Sequence, residues 1–119
     1  MVKAVGSKQR DVKNANHRLI LTQLRQHDLL SRSELARMLS LSAPSISKNV
    51  DDLIGRNVLI ETGTVATNVG RRPSLVGINR QYGCVAAVDF SSTDIRIAIS
   101  NMKADMIDYG TVPGESRLN

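Results

Sequence analysis

Polar and aliphatic side chains alternate along residues 42–55 with a spacing that a helix would sort onto two faces. The aliphatic positions form one stripe at helical spacing, made of Ile46, Val50, Leu53 and Ile54. The opposite face carries hydroxyl, ammonium and amide groups, at Ser45, Ser47, Lys48 and Asn49. Groups of these types hydrogen-bond base edges and neutralise phosphates. The segment is therefore predicted to pack on one side and to present a surface suited to a nucleic acid on the other.

A shorter helix and a tight turn precede this segment and are predicted to orient it. Ser31 and Glu34 have the S-x-x-E spacing of a capping box, which satisfies backbone N–H groups at a helix start. Ser42 suits the N-cap of the next helix, and Pro44 is tolerated in its first turn. Ser40 occupies the turn position usually given to Gly, at a cost of about 1 kcal/mol if its φ is positive. The pattern predicts a helix-turn-helix, and an ordinary helical hairpin is the alternative.

The flanking sequence extends the helix-turn-helix to a winged helix. An amphipathic helix is predicted from about residue 11 to residue 26, with an apolar face made of Val12, Ala15, Leu19, Ile20 and Leu24. Residues 57–62 and 74–79 have the composition of paired strands, and a long polar loop joins them. Three helices followed by such a hairpin form a winged helix, in which the hairpin is the wing.

Two adjacent arginines end the wing loop, in the sequence Gly70-Arg71-Arg72-Pro73. An extended arginine pair can enter a narrow A·T-rich minor groove, where the negative potential is strongest. The spacing alone is equally consistent with a solvated basic turn that merely ends the wing.

The last part of the chain is predicted to be a three-stranded meander. Residues 84–90 form a nearly continuous apolar run, residues 95–100 alternate cleanly, and a third strand starts near residue 106. Such a meander buries a face only if another element covers it, and the last ten residues are too few to form that cover. Residues 81–119 are therefore expected to be the start of a larger domain.

Charge and composition narrow the classes of function. Residues 1–80 hold 13 Lys/Arg against 6 Asp/Glu, whereas residues 81–119 hold 3 against 5, so the basic excess lies with the helix-turn-helix. Cys84 is the only cysteine, and His17 and His27 are expected to be ordinary polar residues of the first helix, so no metal site and no cofactor are predicted. No apolar run is long enough to span a bilayer and no secretory signal is evident, which favours a cytoplasmic location.

The ordered combination of SRSELAR, LSAPSISK, GRRP and an apolar strand reaching Asp89 resembles the ROK family of transcriptional regulators, which includes sugar-responsive repressors. The resemblance covers roughly residues 12–109 and implies an α+β chain. It implies a winged helix-turn-helix followed by the first strands of an actin-like, sugar-kinase-like domain. In the kinases of this family the first strand leads into a D-x-G-G-T phosphate loop. Here both glycines are replaced, by Ser91 and Ser92, so ATP binding is not expected and Asp89 is interpreted as a structural strand-end residue.

The resemblance also implies which residues contact DNA. Major-groove contacts are expected from the recognition-helix residues Ser42, Ala43, Pro44, Ser45, Ser47, Lys48 and Asn49. Lys48 and Arg32 are expected to contact phosphates, and Arg71 and Arg72 are expected to lie near the minor groove.

The sequence thus predicts a flexible N-terminal arm over 1–10, a winged helix-turn-helix over 11–80 and a truncated effector domain over 81–119. The predicted function is a sequence-specific regulator, a repressor of sugar-utilisation genes and not an enzyme. Its expected partners are an A/T-rich operator duplex, a second copy of the chain and, in a full-length form only, a sugar or sugar phosphate; no membrane partner is expected. The alternatives are a fragment of a ROK sugar kinase and a winged helix used only for protein–protein contacts.

Overall fold

The computed structural model describes residues 5–63, 66–67, 70–71 and 73–114. The chain divides into two compact units, Met1–Asn79 and Arg80–Asn119. The first unit contains the helices, a three-stranded antiparallel sheet and a two-stranded one, and the second unit contains three longer strands.

Three helices lead the first unit: α1 Val5–Gln26, α2 Arg32–Leu39 and α3 Ala43–Gly55. Helix α1 begins six residues before the predicted start, so residues 5–10 are helical and not part of a flexible arm. The reason is that Lys8, Gln9 and Arg10 are good helix formers, so the helix propagates beyond its packed part without an apolar pattern. Residues 1–4 lie outside the described residues.

Side-chain caps fix the ends of the two shorter helices. The predicted capping box is confirmed, because the Glu34 backbone N–H donates to Ser31 Oγ at 3.2 Å and the Ser31 N–H donates to Glu34 Oε2 at 2.7 Å. Ser40 ends α2 with φ 52° and ψ 39°, the left-handed conformation that its place in the turn predicted. The Ser45 N–H donates to Ser42 Oγ at 3.2 Å, which confirms Ser42 as the N-cap of α3.

The wing and a short extra strand form the sheet of the first unit. Five strands lie in this part of the chain: β1 Leu30–Ser31, β2 Leu59–Glu61, β3 Ala66–Thr67, β4 Gly70–Arg71 and β5 Leu75–Ile78. Strand β5 lies between β1 and β2 and is antiparallel to both. The predicted wing strands are confirmed, although both are shorter than the predicted ranges. Strand β1 was not predicted, because two residues carry no periodic signal.

The core of the first unit draws on every helix and on the sheet. Its nine buried apolar residues are Ile20, Leu24, Leu30, Leu35, Ile46, Val50, Leu53, Leu59 and Val76. The predicted apolar face of α1 is wrong in part, since Val12, Ala15 and Leu19 are exposed and only Ile20 and Leu24 are buried. The buried stripe of α1 also includes His17, which precedes Ile20 by three residues.

The second unit is the predicted meander, preceded by a short 3₁₀ turn at Arg80–Tyr82. Its strands are β6 Cys84–Phe90, β7 Asp94–Asn101 and β8 Met106–Pro113, paired antiparallel in that order. All residues of β6 and β8 are exposed. Residues 115–119 lie outside the described part of the chain.

Candidate nucleic-acid interface

Helix α3 separates a buried face from an accessible one. Ile46 and Val50 are fully buried and Leu53 is 3% exposed, so the predicted aliphatic stripe does hold the helix against the core. The accessible face begins at the N-terminus of the helix with Ser42, Ala43 and Pro44, and it continues to the exposed Lys48; Ser45 and Ser47 are half-buried. Six of the seven predicted recognition-helix residues are therefore at least partly accessible to solvent.

Asn49 is the exception among these residues. Its side chain is buried at 7% exposure, and its Nδ2 donates to the Ser45 carbonyl oxygen at 2.8 Å. The physical reason is its spacing, because position 49 lies three residues after Ile46 and falls on the same side of the helix. Asn49 therefore satisfies a backbone carbonyl in this structure, and its predicted contact with DNA stays a prediction.

Arg32 is held by carboxylates of the same unit. Its Nε and Nη2 each donate to Glu61 at 3.0 Å, and Nη2 also donates to Asp51 Oδ1 at 2.7 Å. The hydrogen bond to Glu61 raises the pKa of Arg32, and the same contact lowers the pKa of Glu61. The guanidinium thus connects the start of α2 to β2 and α3. The predicted phosphate contact of Arg32 stays a prediction beside this structural role.

The predicted arginine pair lies at the end of the wing. The Arg71 backbone belongs to β4 and pairs with Ala66 of β3, while Arg72 lies outside the described residues. Gly70 has φ 117°, a conformation that L side chains rarely adopt, so glycine is required immediately before the pair. Pro73 is exposed and follows directly.

A charged cluster between α1 and α3 was not predicted from the sequence. The Asp52 Oδ2 atom lies 3.2 Å from Lys13 Nζ, 3.1 Å from Arg56 Nη2 and 3.4 Å from His17 Nε2. Burial lowers the pKa of His17, Asp52 partly offsets that shift, and Lys13 and Arg56 add to it. The hydrogen bond from Lys13 lowers the pKa of Asp52. The i, i+4 spacings of Lys13 with His17 and of Asp52 with Arg56 were the sequence signals for this cluster.

The β6–β7 turn of the second unit is closed by its own side chains. Ser91 Oγ accepts from the Asp94 N–H at 2.8 Å and donates to the Asp94 carbonyl oxygen at 2.9 Å. Asp89 lies one residue before the end of β6 and is opposite Arg96 in β7. The stretch that corresponds to the kinase phosphate loop is therefore a serine-stabilised turn.

Two kinds of feature are absent from the described residues. They contain no group of three or more His, Cys, Asp or Glu side chains placed to hold a metal ion. Within the same residues, no helix has the length and apolar character needed to cross a membrane.

The helices, caps and wing define a class of protein. Residues 13–60 match the family described as winged helix-turn-helix DNA-binding. This match, together with the observed helices and wing, confirms the winged helix-turn-helix fold that the sequence predicted.

Comparison with curated proteins points to particular relatives. The chain is 28% identical to a putative xylose repressor of Caldicellulosiruptor over 96 residues, covering 81% of this chain and 24% of that protein. It is 28% identical to the xylose repressor of Lactiplantibacillus pentosus, covering 89% of this chain and 28% of the relative. For the xylose repressor of Bacillus subtilis the identity is 24%, covering 81% of this chain and 25% of the relative. The chain thus spans about a quarter of the length of these repressors.

A solved structure gives the same fold. The chain aligns with a ROK family transcriptional regulator, described as a homologue of the Escherichia coli MLC protein, with a TM-score of 0.70 and 20% identity. The alignment covers 87% of this chain and 26% of that one. Together with the xylose repressors, this match confirms the resemblance to ROK regulators that the sequence motifs indicated.

Proposed function

We propose that this chain is the DNA-binding part of a sugar-responsive transcriptional repressor and that α3 is its recognition helix. The observation that carries the proposal is the accessible polar face of α3, within a domain whose residues 13–60 match DNA-binding winged helices. In helix-turn-helix proteins the N-terminal residues of the second helix contact base edges in the major groove. The corresponding residues here are Ser42, Ala43, Pro44, Ser45, Ser47 and Lys48.

Small side chains at the start of α3 favour close approach to the groove floor. Ser42, Ala43 and Pro44 are all exposed, and none of them is long enough to hold the helix away from the bases. Short hydroxyl groups give limited direct readout, because the strongest base contacts are bidentate. Specificity is therefore assigned in part to Arg71 and Arg72 in an A/T-rich minor groove and to DNA shape.

Dimer formation and effector binding belong to the proposal for the whole protein. A single small module has limited affinity, so regulators of this class bind two half-sites as dimers. The relatives are named xylose repressors, which supports a sugar or sugar phosphate as the effector. Because those names describe regulators, we assign this chain no enzymatic activity.

Fluorescence anisotropy with a labelled A/T-rich duplex tests the proposal. The full chain is expected to bind with an affinity that falls steeply with salt, as phosphate contacts require. Arg71→Ala with Arg72→Ala is expected to weaken binding to the A/T-rich duplex more than binding to a G·C-rich one. Arg96→Ala with Lys103→Ala removes the same charge from the second unit and is the matched control.

The same experiment contradicts the proposal if no binding is seen at low salt, either with the chain itself or with a form dimerised through a fused leucine zipper. That outcome would favour a winged helix used only for protein–protein contacts. If the two double variants lose DNA affinity equally, DNA binding by the chain stands but the minor-groove role of the arginine pair is rejected.

A further inference from the structure

A basic groove lies between the N-terminal half of α1 and the accessible side of α3. Five cationic side chains line it, with Asp52 as the only carboxylate among its lining residues. The cations are Lys8, Arg10, Lys13, Lys48 and Arg56. We call this surface, formed by these six residues, the α1–α3 groove.

The positive charge of the groove exceeds the negative charge of its lining residues. Lys13 and Arg56 both contact Asp52, at 3.2 and 3.1 Å, so the single carboxylate is already shared between two cations. Lys8, Arg10 and Lys48 have no carboxylate partner within the part of the chain that the structure describes. With five positive charges and one negative charge, the groove is complementary to a polyanion.

The groove is continuous with the proposed recognition surface. Lys48 belongs to both, and Ser45 also lines the groove from the α3 side. A duplex that seats its major groove on α3 therefore brings its sugar-phosphate backbone towards the groove. Two of the α1 cations that line the groove, Lys8 and Arg10, belong to the helical extension that the sequence did not predict.

We infer that the α1–α3 groove binds the DNA phosphates that flank the bases read by α3. This inference rests on the proposed function and adds a second contact surface to it. Asp52 acts here as a positioning residue, because it holds Lys13 and Arg56 at the groove. The α1 cations supply affinity that is independent of base sequence, as phosphate contacts do.

The test compares two double variants of the full chain by anisotropy across a salt series. Lys8→Ala with Arg10→Ala removes two groove cations, and Arg18→Ala with Arg25→Ala removes two exposed cations of the same helix that do not line the groove. Alanine preserves helix propensity, and far-UV circular dichroism verifies that α1 is retained. The two variants have the same net charge, so any difference between them reports the position of the charges.

The groove variant is expected to lower the slope of log K against log salt by about 2, since each phosphate contact contributes about 0.9. Its affinity is expected to fall roughly ten- to a hundred-fold at about 0.1 M salt, equally for matched and unmatched duplexes. The control variant is expected to keep the slope of the unmodified chain.

Two results would overturn the inference while leaving DNA binding intact. One is an unchanged salt slope in the groove variant. The other is an equal decrease of the salt slope in both variants, which would indicate that only the total charge matters. A complete lack of binding by the unmodified chain would instead overturn the proposed function, so the two failures are distinguishable.

Discussion

The two units of this chain use apolar residues in opposite ways. All nine buried core residues among those described lie in the first unit, between Ile20 and Val76. The second unit exposes its large apolar side chains, including Phe90 at 73%, Met106 at 67% and Ile107 at 62%. Both units are well hydrogen-bonded, so the difference between them is one of burial.

This difference follows from the number of layers in each unit. In the first unit three helices cover one another and a small sheet, so α3 is held by its own domain. The second unit is a single sheet with apolar residues on both faces, Phe90, Ile95 and Val112 on one and Ala87, Ala98 and Tyr109 on the other. A sheet that is apolar on both faces is stable only when other elements cover them. The proposed DNA-binding surface is therefore held by the core of the first unit.

The largest expected effect contrasts truncation of a core side chain with truncation of an exposed one. Leu35→Ala should lower the free energy of unfolding of the first unit by about 2–5 kcal/mol, because Leu35 is fully buried. Phe90→Ala should change it by less than about 0.5 kcal/mol. Urea unfolding followed by the helical circular dichroism signal measures both, and equal losses would contradict the contrast.

A smaller effect is expected at Arg32, which links α2, α3 and β2 through Glu61 and Asp51. Arg32→Ala should lower the free energy of unfolding by about 1–2 kcal/mol, because Glu61 and Asp51 lose their hydrogen bonds to the guanidinium. Arg32→Lys should recover only part of the loss, because an ammonium cannot reproduce the bidentate geometry. If Arg32 instead contacts DNA, its removal would lower the salt slope of binding by about 1, and the structural role would be rejected.

Removal of the backbone strain at Ser40 should stabilise the first unit. Ser40 has φ 52°, so Ser40→Gly is expected to raise the free energy of unfolding by up to about 1 kcal/mol. The comparable change in the second unit is Ala104→Gly, at φ 65°, which should leave unfolding of the helices unchanged. A loss of stability in Ser40→Gly would show that the serine side chain contributes more than the strain costs.

The smallest expected effect is a pH dependence centred on His17. Because burial lowers its pKa in the folded state, the unfolded chain binds the proton first, and stability should fall as pH drops below about 6.5 towards the folded pKa. Asp52, Glu34 and Glu61 have lowered pKa values, so their contributions are lost only at more acidic pH. His17→Gln should remove the part of this dependence that begins below about pH 6.5. An unchanged pH profile in this variant would exclude His17 as its source.

Local signals in the sequence predicted most of the fold. The capping box, the Ser42 N-cap, the Ser40 turn and the aliphatic stripe of α3 depend on contacts three or four residues apart, and all four are confirmed. The three strands of the meander were predicted because alternation and turn residues are also local.

The sequence was less informative where distant residues meet. Arg32 contacts Glu61, which is 29 residues away in sequence. No periodic pattern indicates that the guanidinium is hydrogen-bonded to carboxylates. His17 and Asp52 come together only because α1 packs on α3. Asn49 was assigned to the accessible face because it is one of the polar residues between the aliphatic positions, whereas its spacing from Ile46 decides its burial.

The most direct test of the central claim is an amide chemical-shift map of the full chain during titration with an A/T-rich duplex. We expect the shifts to concentrate in residues 42–48, around Arg71 and Arg72 and along the α1–α3 groove, with residues 84–113 unaffected. Shifts concentrated in the exposed strands of the second unit, or none at all, would contradict the assignment of DNA binding to the first unit.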